Sequence, residues 1–365
     1  MHAIYITIIV LLIIALVYVY AKYHYTYAIV QEIEEQISAG ELYCASTRRK
    51  DNKQLREFNP TELKLERTYK EYEKIVIDLI ANAAEYGDFG YETKLRDACK
   101  SGLSGGKYLR AIILMETSRC CCCTKDKVTD PAEAALFLEY IHASSLILDD
   151  MPAFDNDEKR RGKPSIHVEY GISTAYLAST TLMSTGFQNL CRQIDWLRNN
   201  RKDIKNADRV LTKITSLIAH ALGPYGLSGG QFVDISTESP LDNMDKYIKL
   251  MHEKTAVMFE LAFCIGWIIS NGNMSKFKEI QEIGRNIGVA YQIADDIDDM
   301  ESDLAQAERQ GRIDVNFANK YGRRVALMEF NKYKNGAIFL MKQNGLYSKL
   351  WEDDIFPMFT PANES

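Results

Sequence analysis

The sequence predicts an all-α protein, and three observations support this fold class. Beyond residue 60, apolar residues recur at intervals of three and four, the spacing of one helix face. Runs that alternate between apolar and polar residues, as half-buried strands do, are absent from the sequence. Glycine and proline, which interrupt helices, number only 21 and 8 among 365 residues. We therefore expect a domain of long helices.

The chain begins with an apolar stretch at residues 3–21 that carries no charged side chain. Its length is just enough for a helix to cross the hydrocarbon core of a membrane. Only two residues precede it, so the basic start of a cleavable signal peptide is missing. Lys22 and the basic residues 48–50 follow it, which favours a cytosolic position for the rest of the chain. We expect a membrane-anchored protein with a cytosolic catalytic domain; a signal peptide and a buried helix are the alternatives.

The domain organisation follows from these patterns. Residues 1–23 are predicted to be the transmembrane anchor, residues 24–60 a polar linker, residues 61–350 one helical domain, and residues 351–365 a tail. The helices predicted within the domain lie near residues 61–86, 91–101, 106–123, 131–151, 165–196, 203–226, 229–236, 241–271, 275–300 and 318–344.

Charge and cysteine content restrict the function further. The net charge of −6 argues against nucleic acid as a partner, since binding its phosphates needs a basic face. Four of the eight cysteines are contiguous at residues 120–123, whereas zinc ligands usually stand about two to four residues apart. With no disulfide framework visible, we expect reduced thiols in a reducing compartment.

An acidic cluster at residues 149–158 stands directly before four basic residues at positions 159–163. Grouped carboxylates repel one another unless a cation neutralises them, and Mg²⁺ binds carboxylates while leaving positions for phosphate. Asp149 and Asp155 are six residues apart, and Pro152 predicts a break that brings Asp155 back towards Asp149. The cluster predicts a metal–diphosphate site, with a solvated charged turn as the alternative.

A second acidic cluster follows an apolar helical segment. Asp295 and Asp299 are four residues apart, so they share one helix face and can reach one ion. Alone, this cluster is also typical of a solvated helix end. Facing the first cluster, about 145 residues earlier, it would help to hold several Mg²⁺ ions around one diphosphate.

Cations that suit substrate phosphates occur elsewhere in the chain. A glycine pair precedes Lys107 and Arg110 at a predicted helix start, which is a good anion site. His142 lies two helical turns before the first cluster, on the same face as Asp149. Lys254 begins a mostly apolar helix. By itself the basic motif is weak, since lysine and arginine are common on the surface at helix starts, and a lone histidine on a helix is usually structural.

Taken together, these segments resemble the trans-isoprenyl diphosphate synthases, most closely the short-chain group that makes farnesyl and geranylgeranyl diphosphate. The matching segments are GGKYLR, EYIHASSLILDD, DDMPAFDNDEKRRGKPS, GGQFVDI, HEKTA, YQIADDIDD and VNFANKYGRRVA. The resemblance implies an isoprenoid synthase-type bundle of long helices around a central apolar cavity, usually as a homodimer. It implies head-to-tail condensation of isopentenyl diphosphate with allylic diphosphates, with about three Mg²⁺ ions.

The resemblance also implies roles for the matching residues. Metal would be held by four carboxylates, Asp149, Asp155, Asp295 and Asp299. The allylic diphosphate would be bound by Arg160 and Lys254. Isopentenyl diphosphate would be bound by Lys107, Arg110, His142 and Arg161. The residues expected to act in catalysis, close to the reacting carbons, are Lys254, Thr255 and Gln292.

Two positions depart from the family pattern. Leu148 stands where the family usually has histidine before its first aspartate pair. A Gly-Lys pair that reaches the diphosphate is replaced by a stretch in which Arg309 or Arg312 would substitute.

Product length depends on the helix that leads into Asp149. In the family, an aromatic residue four or five positions before this aspartate stops growth at fifteen carbons. Here these positions are the small Ser145 and Ser144, and Tyr140 and Ile141 lie one turn deeper. We expect a twenty-carbon product, geranylgeranyl diphosphate, with farnesyl diphosphate as the alternative.

Two other classes share some of these features. A terpene cyclase would carry a second metal motif that mixes asparagine, serine or threonine with glutamate, unlike DDIDD at residues 295–299. A non-catalytic, membrane-tethered synthase subunit would usually lack one acidic cluster, and both are present here.

Overall fold

The protein is described by a computed structural model that covers residues 65–85, 87–121, 128–235, 241–311 and 314–361. In these residues the chain is helical, as the sequence predicts. The elements of the first half are α1 (Tyr69–Glu85), α2 (Thr93–Leu103), α3 (Leu109–Cys121), α4 (Ala132–Asp149), β1 (Lys159–Arg160), β2 (Lys163–Pro164), α5 (Ile166–Tyr170), α6 (Ile172–Asn200) and α7 (Ala207–Leu222). The segment predicted as one helix at residues 165–196 is two, because Gly171, with φ of 89°, separates α5 from α6.

The second half contains the remaining helices and two turns of π-helix. They are α8 (Leu227–Asp234), α9 (Met244–Met251), a π-turn at His252–Ala256, α10 (Val257–Ile269), a 3₁₀ turn at Met274–Lys276, α11 (Phe277–Asp298), α12 (Met300–Gln310), α13 (Phe317–Tyr321), α14 (Arg323–Gln343), a second π-turn at Leu350–Ile355 and α15 (Phe356–Met358). Asparagine side chains accept hydrogen bonds at the starts of three helices, at Asn206, Asn243 and Asn316. The sequence analysis did not predict α12 or the elements after residue 344.

Helix α10 is almost completely buried, with twelve of its thirteen residues inaccessible to solvent. It packs against α3 on one side and α11 on another, and α11 packs in turn against α14. Helix α4 lies along α6. Since burial of a large apolar side chain contributes roughly 1.5–3 kcal/mol, this apolar centre holds the helices that carry both acidic clusters.

The C-terminal segment also contributes to the core. Trp351, Ile355, Phe356 and Phe359 are buried, and the Trp351 ring stacks on Phe263 at 5.6 Å between centroids. The packed region therefore continues past residue 350, where the sequence analysis placed the start of a tail.

The predicted transmembrane helix and the membrane-anchored, cytosolic localisation are corrected here. In the described ranges, no helix is both long and apolar enough to span a membrane. The strongly apolar α10 has 13 residues, about 20 Å of helix, against a hydrocarbon core of roughly 30 Å. The longer α6 and α11 carry charged side chains. Residues 3–21 and 24–60 lie outside the described residues. The fold class is therefore all-α without a transmembrane helix, and we assign no membrane location.

Candidate active site

A cavity of about 820 Å³ brings most of the predicted site residues together. Its walls come from α4, α8, the first π-turn, α11 and the hairpin β1–β2 region. The predicted residues that line it are Arg110, His142, Ser145, Asp149, Asp155, Arg160, Arg161, Lys254, Thr255, Gln292, Asp295 and Asp299. Lys107 and Ser144 do not line it.

The first acidic cluster folds back on itself after α4 ends. The Asp155 amide donates to the Asp149 carbonyl oxygen at 3.0 Å, and the Asn156 amide donates to the Met151 carbonyl oxygen at 3.1 Å. Asp155 thus lies beside Asp149, as the predicted break at Pro152 requires. Burial raises the pKa of Asp149; Lys254 opposes this shift and Asp155 adds to it.

A two-residue turn presents the cations that follow this cluster. Strands β1 and β2 are antiparallel, with Arg160 opposite Lys163, and Arg161 and Gly162 between them have φ of 53° and 75°. Positive φ at both turn residues is the geometry of a tight hairpin. The Arg160 guanidinium lies 2.5 Å from Asp150, and burial raises the pKa of Asp150 to about 6 although Arg160 lowers it.

Arg161 points the other way, towards the glycine pair before α3. Its guanidinium donates to the Ser104 carbonyl oxygen at 3.1 Å. A Cβ atom at Gly106 would stand only 3.0 Å from this guanidinium. The glycine therefore lets Arg161 lie against the loop that carries Lys107.

Lys254 lies in the first π-turn, where the helix has one extra residue per turn. Its ammonium group donates to Asp234 at 2.6 Å. Burial lowers the pKa of Lys254, but Asp234 and Asp149 outweigh this and the net shift is upward, so the group stays charged. A Cβ atom at Gly230 would lie 2.6 Å from the Lys254 backbone nitrogen, so only glycine allows α8 to approach this turn so closely.

The second acidic cluster is held mainly by amide groups. Thr255 donates to the Gln292 side-chain oxygen at 2.6 Å, and the Gln292 amide donates to Asp296 at 2.8 Å. The backbone amide of Phe317 donates to the other Asp296 oxygen at 2.8 Å. Burial raises the pKa of Asp296 to about 7 and that of Asp295 to about 6.

A second cationic group of the cavity, Arg110, lies beside His142. The Arg110 guanidinium lies 3.0 Å from His142 Nε2 and 4.6 Å from the Phe259 ring centroid. Burial and the neighbouring Arg110 lower the pKa of His142 well below its usual value, so the ring is neutral and accepts the hydrogen bond from Arg110. Lys107 does not line the cavity, but its ammonium group lies 6.0 Å from the ring centroid of Tyr291, which does.

Ser144 and Ser145 point in different directions. Ser145 lines the cavity, and its hydroxyl donates to the His142 carbonyl oxygen at 2.8 Å. Ser144 is fully buried against α6, with its hydroxyl 2.9 Å from that of Ser179. Of the two predicted product-length positions, only Ser145 faces the cavity.

The sequence analysis missed three acidic residues that support this site. Asp234 pairs with Lys254, and Asp150 pairs with Arg160. Glu139 accepts a hydrogen bond from the Ala111 amide at 3.2 Å. Burial lowers the pKa of Arg110, and the charge of Glu139 opposes this shift. Glu139 carries a sequence signal, a carboxylate within the apolar stretch of α4. Asp234 carries none beyond its place in GGQFVDI, because its partner is twenty residues away.

Of the two arginines that could replace the family's lysine, Arg309 is among the described residues. Arg309 lies close enough to Asp157 for its charge to lower the pKa of that carboxyl, although burial raises it overall. Arg312 lies outside the described residues.

The donor set of the cavity fits a hard divalent cation. Carboxylate oxygens are the ligands that Mg²⁺ prefers, and burial raises the pKa of Asp149 and Asp295, so a bound cation would favour their ionised forms. Among the described residues, no three His, Cys, Asp or Glu side chains converge closely enough to hold one ion in this structure.

Comparison with known sequences decides the family. Residues 92–318 match the polyprenyl synthetase family. The chain belongs to this family. A trans-prenyltransferase of African swine fever virus is 32% identical over 289 residues, which cover 79% of this chain and 82% of the relative. A geranylgeranyl diphosphate synthase of Cyanophora paradoxa is 32% identical over 225 residues, covering 61% of this chain and 70% of the relative.

Solved structures confirm the fold of this polyprenyl synthetase. A geranyltranstransferase from Thermotoga maritima superposes with a TM-score of 0.63 at 23% identity, covering 80% of this chain and 98% of the other. A farnesyl and geranylfarnesyl diphosphate synthase from Zymomonas mobilis superposes with a TM-score of 0.62 at 24% identity, covering 78% and 94%. The predicted all-α isoprenoid synthase fold and the predicted family are thus confirmed, and the chain is a trans-prenyltransferase.

Proposed function

We propose that this prenyltransferase joins isopentenyl diphosphate head-to-tail to an allylic diphosphate, and that its main product is geranylgeranyl diphosphate. The observation that carries the proposal is the cavity itself. Two acidic clusters and several cations line it, together with apolar side chains such as Ile141, Met183 and Met258. Such a cavity suits a substrate with a charged head and a long apolar chain.

Each cationic region has a separate role in this proposal. Arg160 and Lys254, beside the first acidic cluster, bind the allylic diphosphate. Arg110, His142, Arg161 and Lys107 bind isopentenyl diphosphate. Guanidinium groups suit this task because they form paired hydrogen bonds with phosphate oxygens.

Asp149, Asp155, Asp295 and Asp299 would hold Mg²⁺, about three ions by resemblance to the family, whose positive charge would stabilise the departing pyrophosphate. Lys254 and Arg160 add fixed positive charge at the same place, where negative charge grows in the transition state.

The reaction breaks the allylic carbon–oxygen bond and forms a carbon–carbon bond with the alkene of isopentenyl diphosphate. Thr255 and Gln292, joined by a 2.6 Å hydrogen bond, orient the reacting carbons. The apolar wall excludes water, which would otherwise capture the allylic cation. The proton lost from the new chain passes to pyrophosphate, so no side-chain base is assigned.

Product length is proposed to depend on Ser145. This small residue leaves the cavity open towards Ile141, one helical turn or about 5.4 Å deeper along α4. Tyr140, which the sequence analysis also considered, turns away and packs its ring on Phe89 at 5.3 Å. A fifteen-carbon product remains the alternative.

The proposal includes a homodimer. Helices α5 and α6 expose the apolar side chains of Val168, Ile172, Tyr176 and Leu177. Exposed apolar side chains on adjacent helices are typical of an interface. Sedimentation velocity of the wild type and of Tyr176→Glu tests it, since the proposal requires that only the wild type dimerises.

Product analysis tests the proposed reaction. The purified protein is incubated with labelled isopentenyl diphosphate, Mg²⁺ and dimethylallyl, geranyl or farnesyl diphosphate, and the products are separated by chain length. We expect twenty carbons from the wild type, fifteen from Ser145→Phe, and twenty from the matched Ser145→Ala. Absence of condensation with every allylic substrate would contradict the proposal, and an unchanged product from Ser145→Phe would contradict the role of Ser145.

A further inference from the structure

Tyr69, the first residue of α1, reaches the loop that carries Lys107. Its phenol oxygen donates to the Lys107 carbonyl oxygen at 2.5 Å. Burial raises the pKa of this phenol, and Glu73 adds to the shift, so the hydroxyl keeps its proton and remains a donor. A side chain from a separate helix thus fixes the backbone of a residue that we assign to substrate binding.

The Lys107 loop needs such contacts because its backbone is unusual. Gly105 has φ of 72° and Tyr108 has φ of 48°, so Lys107 stands between two residues in the left-handed region. A tyrosine rarely adopts this conformation, and surrounding contacts must hold it. Arg161 holds the loop at the Ser104 carbonyl oxygen, at 3.1 Å, and Tyr69 holds it at Lys107.

The C-terminal segment reaches Lys107 by two routes. Asp354 accepts a hydrogen bond from the Tyr69 backbone amide at 3.0 Å, which satisfies one of the free amide groups at the start of α1. Phe359 packs on Tyr291 with 5.8 Å between ring centroids, and the Tyr291 centroid lies 6.0 Å from the Lys107 ammonium group. One route fixes the backbone of Lys107, and the other supports its side chain.

We propose that Tyr69 is a positioning residue for Lys107, and that Asp354 on the C-terminal segment acts through it. The proposal rests on the proposed role of Lys107 in binding the diphosphate of isopentenyl diphosphate. Loss of the Tyr69 hydroxyl releases the loop and weakens that substrate selectively. The allylic diphosphate is unaffected, because Arg160 and Lys254 lie on other segments.

The test is Tyr69→Phe in the full-length protein, which removes one oxygen atom and leaves the ring. The Michaelis constants for isopentenyl diphosphate and for farnesyl diphosphate are measured separately. We expect the constant for isopentenyl diphosphate to rise about fivefold, the loss expected for one neutral hydrogen bond. The constant for farnesyl diphosphate should stay within about twofold.

Tyr72→Phe is the matched control on the same helix. The Tyr72 hydroxyl donates to Glu116, within α3, at 2.8 Å. This variant should lose thermal stability without changing the ratio of the two constants. If Tyr69→Phe leaves the ratio unchanged, or raises both constants equally as its melting temperature falls, the inference is wrong.

A second pair of variants tests the C-terminal route. Asp354→Ala removes the acceptor for the Tyr69 amide, whereas Asp354→Asn keeps an oxygen acceptor there. We expect the alanine variant to raise the isopentenyl diphosphate constant about threefold and the asparagine variant to restore it. Equal constants in the two Asp354 variants would contradict the role of Asp354.

The proposed function and this inference fail in different ways. A wild type without condensation activity would overturn the proposed function. An active wild type, with an unchanged ratio of the two Michaelis constants in Tyr69→Phe, would overturn only this inference.

Discussion

The two acidic clusters face the same cavity but are built differently. The first lies on a broken segment after α4 and has its own cations, since Arg160 pairs with Asp150 and Lys254 lies close enough to lower the pKa of Asp149. The second lies on the continuous helix α11. In the described part of the chain, no salt bridge reaches Asp295 or Asp299.

This difference shows which carboxylates have no salt-bridge partner among the described residues. The Arg160 guanidinium occupies a carboxylate of the first cluster, whereas amides of Gln292 and Phe317 hold Asp296 without neutralising it. Burial raises the pKa of Asp295 to about 6, and the charge of Lys107 opposes this shift without forming a salt bridge, so a cation bound on this side of the cavity would favour the ionised carboxylate. A bound Mg²⁺ would supply that charge.

The largest expected effect compares the two clusters directly. Asp149→Asn and Asp295→Asn should each lower kcat by about 10²–10³, because each removes a ligand for positive charge at the departing pyrophosphate. Steady-state kinetics at saturating Mg²⁺ measures this.

Neighbouring carboxylates outside the cavity provide matched controls for both changes. Glu158 and Asp298 belong to the same acidic stretches but do not line the cavity. Glu158→Gln and Asp298→Asn should change kcat by less than about twofold. A strong loss in only one of the two cluster variants would show that the clusters are not equivalent in holding metal.

A smaller effect is expected when the cations of the first cluster lose their support. Asp234→Asn removes the charged partner of Lys254, 2.6 Å away, and should lower kcat/KM for the allylic substrate about 10- to 100-fold. Asp242→Asn breaks an exposed pair with Lys246 and should have no measurable effect on this constant. Equal results for the two variants would show that Asp234 does not support Lys254.

The smallest effect concerns the π-turn that carries Lys254. Gly230→Ala places a methyl group against the Lys254 and Glu253 backbone and should destabilise the protein by about 1–3 kcal/mol. Gly336→Ala, within α14, meets only the end of the Asn286 side chain and should be neutral or stabilising by up to about 1 kcal/mol. Urea unfolding measures both, and a Gly230→Ala protein as stable as the wild type would contradict the close approach of α8.

Much of the fold was predictable because helix formation leaves a local pattern. The spacing of apolar residues located the main helices within a few residues. It failed at α12, whose sequence is rich in charged residues and poor in apolar ones, and at the C-terminal segment, whose π-turn at Leu350–Ile355 follows no 3.6-residue spacing. The transmembrane helix was an inference from hydropathy alone, and no helix of the described ranges supports it.

The features of the site likewise divide into those with a local sequence pattern and those that depend on packing. The sequence by itself determined the two carboxylate clusters, the break at Pro152 and the basic segments, since each depends on residues close together in the chain. Only the tertiary structure decided that Ser145 faces the cavity while Ser144 faces α6, because adjacent helical residues point about 100° apart and packing chooses between them. Packing likewise joins Lys254 to Asp234, twenty residues away in the chain, where no local pattern could pair them.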